Sequence, residues 1–109
     1  MFEKNLTLIS LFDIYGAMLS EQKQKMFELY YGDDLSLAEI AEEMSISRQG
    51  VRENLKKCEE QLIEFEEKLG FSKKSELIKA AIEKLKELKA DGGDKKSIDS
   101  VVDSLSSII

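Results

Sequence analysis

Apolar residues recur along this chain at the three- and four-residue spacing of helices, and the clearest stretch is Leu35 to Leu55, LSLAEIAEEMSISRQGVRENL. Ser36 followed by Glu39 is a capping box, in which a hydroxyl and a carboxylate each satisfy a free N–H at a helix start. Leu37, Ile40, Ala41 and Met44 then form one apolar face, and Ser45-Ile46-Ser47 breaks the helix. Ser47 is placed to cap a second helix whose Val51 and Leu55 point inward. The small Ala41 lets two helices meet near a right angle. The pattern predicts a helix-turn-helix, with the second helix entering a nucleic-acid groove. Two positions depart from the usual form. Ser45 takes the turn position often held by glycine and tolerates a left-handed backbone less well. Asn54 stands where an apolar residue is common, one step before Leu55.

The flanking stretches continue the helical pattern. Asn5 is expected to cap a first helix from Leu6 to about Tyr15, with Leu8, Leu11, Phe12 and Tyr15 along one side. Gly16 either ends that helix or lets the chain pass close to a neighbour. Ser20 opens SEQKQKMFELYY, which sends Met26, Phe27, Leu29 and Tyr30 to the core before Gly32 and an acidic turn at Asp33-Asp34. The reading helix runs on from Ser47 to Leu69, because Val51, Leu55, Cys58, Leu62, Phe65 and Leu69 follow heptad spacing. Gly70 provides a left-handed cap, after which Phe71 is expected to fold back onto Phe65. Ser72 or Ser75 starts a further helix with Leu77 or Ile78, Ala81, Leu85 and Leu88 as its buried face. Asp91-Gly92-Gly93-Asp94 is a flexible break. The last segment stripes Ile98, Val101, Val102, Leu105, Ile108 and Ile109 against serines and aspartates. So short a helix needs cover from its own chain, a second copy or another protein. The expected fold is all-α: a helix-turn-helix bundle over 1–71 with a long recognition helix, then a helical segment over 72–109 for packing or dimerisation.

Composition narrows the chemistry. In 109 residues there is no histidine, one cysteine and no proline. Metal hydrolysis, thiol proteolysis and P-loop chemistry lack their parts, so neither an enzyme nor a cofactor is expected. Asp33, Asp34, Asp91 and Asp94 lack the spacing of a calcium loop and read as turn residues. Cys58 lies on the apolar seam as an inert thiol, and a lone cysteine suits a reducing cytoplasm. No apolar run is long enough to span a membrane, and no signal-peptide pattern opens the sequence.

Charge changes the picture most. The net charge is −6, and residues 1–69 hold 8 basic against 15 acidic side chains, a net of −7, while 70–109 hold 8 against 7. Phosphate neutralisation supplies most non-specific DNA affinity, so the protein alone should bind DNA weakly. One window runs the other way. From Ser47 to Lys57, Arg48, Arg52, Lys56 and Lys57 face only Glu53. Arg48, Gln49 and Arg52 can reach base edges, and Lys56 and Lys57 can reach phosphates. The plainer reading is a solvated helix face paired with nearby glutamates. Farther along, Glu59, Glu60, Glu64, Glu66 and Glu67 would repel a phosphate backbone, which confines any contact to the first turns. The heptad seam and the tail stripe mean core within one chain or a homodimer interface, and a two-fold pair would supply a second half-site.

Taken together, LFDIYGAML, FELYYGDDLSLAEIAEE, SISRQGV and the closing EFEEKLG resemble the YlxM-type family of small bacterial helix-turn-helix proteins over residues 4 to 71. The SLAEIAEE…SRQGV core is also similar to region four of bacterial sigma factors. Arg52 and Glu53 stand where the family pattern has an aromatic and an aspartate, a more sigma-like arrangement. The resemblance implies a cytoplasmic regulator or accessory of the signal recognition particle pathway, because the family's genes commonly neighbour those of the particle's GTPase or its receptor. It carries Ser47, Arg48, Gln49 and Gly50 over as nucleic-acid contacts and supplies no catalytic residue. The implied partners are DNA or the particle's RNA, and the GTPase or its receptor; no membrane partner is implied. A different class stays open: a protein-interaction module that docks onto a basic partner through its acidic and apolar faces without binding nucleic acid.

Overall fold

The computed structural model describes residues 6–90 and 92–108. The expected Asn5 cap, Asp91 and Ile109 lie outside them. Helices follow where apolar spacing and caps agree: α1 (Leu6–Tyr15), α2 (Glu21–Phe27), α3 (Leu37–Met44), α4 (Arg48–Leu69), α5 (Phe71–Ala90) and α6 (Lys95–Ile108). A 3₁₀ turn at Gly16–Met18 follows α1, and a π turn at Glu28–Gly32 extends α2. Among the described residues no strand forms and no helix is long and apolar enough to cross a membrane. The fold is all-α and contains the helix-turn-helix. Contacts divide the chain into two units, Met1–Leu69 and Gly70–Ile109.

In the first unit α4 is the spine, packed by α1, α2 and α3. Its seam serves two clusters in succession. Val51 and Leu55 join Met26, Tyr30, Ile40 and Ala41 under the helix-turn-helix, while Cys58 and Leu62 join Leu8, Leu11, Tyr15, Leu19 and Phe27. These four seam positions are therefore covered by the chain's own helices, which leaves them no free face for a second copy. Phe65 is half-buried against Tyr15, and Leu69 is exposed. The seam closes a core through Leu62 and fades beyond it.

One local feature differs from the sequence reading. The segment after Ser20 is not one regular helix. At Glu28–Gly32 it widens into a π turn, with Asp33 N–H donating to the Glu28 carbonyl at 3.0 Å. The turn directs Tyr30 and Tyr31 both inward, edge to face at 5.1 Å, and Tyr31 continues a stack through Phe27 to Phe12 at 4.2 and 4.3 Å. The element stops at Gly32 as expected, and the left-handed residue falls in the acidic turn behind it, at Asp34, φ +57. Gly16 earns its place by proximity: a Cβ there would lie 3.0 Å from the Phe12 ring.

The second unit is a helical hairpin of α5 and α6. Gly70, φ +65, ends α4, and α5 begins at once at Phe71, ahead of the serines expected to start it. Phe71 is exposed. Asp94, read as part of a break, caps α6 by accepting the Ser97 N–H at 2.7 Å, which holds its carboxyl below the usual carboxylate range. The expected buried faces are only partly realised. Ala81 on α5 and Val101 on α6 are buried, but Leu77, Ile78, Leu85, Ile98 and Val102 stay exposed. A single neighbouring helix covers a narrow strip, while the apolar sector on each helix is wide.

Candidate nucleic-acid interface

The start of α4 is set by α3 and the turn before it. Ser36 Oγ accepts the Glu39 N–H at 3.1 Å, and Glu39 Oε1 accepts the Ser36 N–H at 3.0 Å, so both halves of the capping box are made. The Ser36 N–H, and after it the Ser36 hydroxyl, hold the Glu39 carboxyl below its ordinary range. Ile40 and Ala41 are buried against α4, and Ser45 turns the chain with φ +56 and ψ +42, the left-handed conformation serine resists. Ser47 then caps α4: its Oγ accepts the Gly50 N–H at 2.9 Å and its carbonyl accepts the Val51 N–H at 3.0 Å. The hydroxyl still has a proton to donate, so cap and contact are compatible in one side chain. Gly50 is half-buried, and a Cβ there would lie 3.1 Å from Ser47 Oγ. Asn54, unusual for an apolar position, is half-buried with its amide donating to the Gly50 carbonyl at 2.8 Å. That i−4 spacing was the available sign of its role.

From this frame the polar side chains project outward. Arg48, Gln49, Arg52, Lys56 and Lys57 are all exposed. Arg48, Arg52 and Lys56 stand at i, i+4 and i+8, so they form one band along a flank of α4; Lys57 lies farther round the helix. Among the described residues none of these four cations is in an ion pair, in contrast to Lys68, which meets Glu64 at 2.8 Å. Gln49 is different. Its amide donates to Glu53 Oε1 at 3.2 Å, so a base contact would have to displace that bond. The acid expected nearby is present. Glu39, Glu42 and Glu43 on α3 border a shallow hollow with Leu35, which precedes that helix, and Glu59 and Glu60 follow the basic band on α4. Burial and the neighbouring Glu60 raise the Glu59 carboxyl above its ordinary range.

Cys58 is buried on the seam, and burial pushes its thiol up to about 11, far from a reactive thiolate. Among the described residues no three histidine, cysteine or carboxylate side chains gather to hold a metal ion. Tyr31 Oη is buried with no hydrogen-bond partner among the described residues, and burial together with Glu59 raises its pKa.

Comparison with known proteins agrees with this architecture. The profile of the UPF0122 family, helix-turn-helix proteins described as YlxM / p13 like, matches residues 2–101. A UPF0122 protein of Caldanaerobacter subterraneus is 48% identical over 82 residues, 75% of this chain and 70% of the relative. One from Halalkalibacterium halodurans is 39% identical over 108 residues, 99% of each chain. The UPF0122 protein YlxM of Bacillus subtilis is 40% identical over 103 residues, 94% of each.

Proposed function

Because the chain belongs to the YlxM / p13-like helix-turn-helix family, we propose that it is a non-enzymatic regulatory or accessory protein of the signal recognition particle pathway that binds nucleic acid. Ser47, Arg48, Gln49, Gly50, Arg52, Lys56 and Lys57 form the interface, with arginines toward base edges and lysines toward phosphates. The observation that carries the reading is the band of Arg48, Arg52 and Lys56 at the start of the long helix, exposed and in no ion pair among the described residues. The pathway rests on the family resemblance. The ligand is DNA or the particle's RNA: the helix fits a DNA major groove, whereas duplex RNA presents a groove too narrow and deep for it. Titration of labelled duplex DNA and of the particle's RNA at two salt concentrations tests this. Binding should weaken with salt and be lost in Arg48→Ala with Arg52→Ala. No binding to either nucleic acid would overturn it.

A second reading has its own observation. The first unit carries a net charge of −7, with Glu59, Glu60, Glu64 and Glu67 lining the second half of α4. Such a face suits docking onto a basic protein partner, the particle's GTPase or its receptor. Capture of that partner after nuclease treatment would favour this reading, and capture abolished by nuclease would favour the first.

A further inference from the structure

The hairpin of α5 and α6 leaves an apolar face uncovered. Ile78, Ile82 and Leu85 on α5 are 39%, 44% and 37% exposed, and Ile98 and Val102 on α6 are 42% and 51% exposed. The two helices contribute to the same side, because Leu85 and Ile98 line one hollow beside the Gly92-Gly93 turn, with Lys89 at its rim. The other side is mixed: Lys84, Lys96, Ser97 and Ser100 border one hollow there, and Leu77, Ala80 and Ile108 join Lys84, Ser104 and Ser107 around another. We infer that this apolar face docks onto the same face of a second copy of the chain, so that two hairpins close into a four-helix bundle.

Charge favours a second copy as occupant. Helical spacing sets Lys79 and Lys86 beside Ile82 on the outer edge of α5, where Lys86 also meets Glu83 of its own helix at 3.4 Å, and Asp99 beside Val102 on the outer edge of α6. When the two-fold axis runs parallel to the helices, α5 of one copy borders α6 of the other, so the lysine edge meets the aspartate edge twice; the perpendicular axis would set lysine against lysine, and charge selects the first. Lys95, next to Ile98, lies on the aspartate edge and places a cation near the turn. The second unit holds 8 basic and 7 acidic residues, so two copies approach there without the repulsion that a net −7 imposes on the first unit. Packing argues the same way. A hairpin burying only Ala81 and Val101 among its described residues lacks a centre, and a bundle of four such helices acquires one. The inference is independent of nucleic-acid binding and uses none of the residues assigned to it.

Sedimentation of the full chain over a range of micromolar concentrations, without nucleic acid, tests it. The wild type should pass from monomer to dimer. Ile82→Glu, at an already exposed position, should raise the dissociation constant about tenfold or more, with helical content unchanged by circular dichroism. Lys79→Glu with Lys86→Glu should weaken the dimer, as should Asp99→Lys, and all three together should restore it. A chain that stays monomeric across the range, or variants that sediment as the wild type does, would overturn the inference. So would failure of the combined reversal to restore what the separate reversals weaken.

Discussion

Single residues mark where this fold carries strain and where it does not. Ser45 holds φ +56 in the turn between α3 and α4, a conformation that costs an L-residue roughly 1–2 kcal/mol relative to glycine. Ser45→Gly should therefore raise the unfolding free energy by about 1 kcal/mol in urea titration, less whatever flexibility glycine adds to the unfolded chain. Tyr31 presents the opposite problem, a phenol whose ring is stacked on Phe27 and whose hydroxyl has no partner among the described residues. Tyr31→Phe keeps the stack and removes the unsatisfied group, so a gain of about 1 kcal/mol is expected in the same measurement. Local chemistry of this kind was partly legible in the sequence. Ser36 with Glu39, and Ser47 ahead of α4, declare themselves because a cap acts over three residues. The tether of Gln49 to Glu53 obeys a known spacing, yet the same spacing fits a free side chain equally well.

At the scale of elements, α4 decides most of what the chain becomes. Its heptad spacing could be read directly, but the spacing alone did not distinguish a partner chain from the chain's own helices. The fold resolves it for the first four positions: α1, α2 and α3 cover Val51 through Leu62. Leu62 is fully buried where α4 meets α1, so Leu62→Ala should cost about 2–5 kcal/mol of stability. Thermal or urea unfolding measures it, and a loss below about 1 kcal/mol would mean the α1 contact is loose. The π turn at Glu28–Gly32 and the Phe12–Phe27–Tyr31 stack were not legible, because both depend on rings brought together from separate helices. The uncovered sides of α5 and α6 escaped for a related reason. Apolar spacing shows which face seeks cover, not how many neighbours arrive to supply it.

Across the whole molecule, charge is segregated more sharply than apolar surface. An acidic first unit carries one basic band at the start of α4, and a nearly neutral second unit carries the exposed apolar face. This division separates the two proposals: substitutions in the band should leave self-association unchanged, and substitutions on the hairpin should leave the band's phosphate contacts intact. The central claim is that the band meets nucleic acid, and its most direct measure is the dependence of binding on salt. Each phosphate contact contributes about 0.9 to the slope of log affinity against log salt concentration on duplex DNA. Replacing Arg48, Arg52 and Lys56 together by alanine should flatten that slope by roughly 2–3 if all three contact phosphate, and by less where an arginine reads a base instead. An unchanged slope, or wild-type binding indifferent to salt, would contradict the claim.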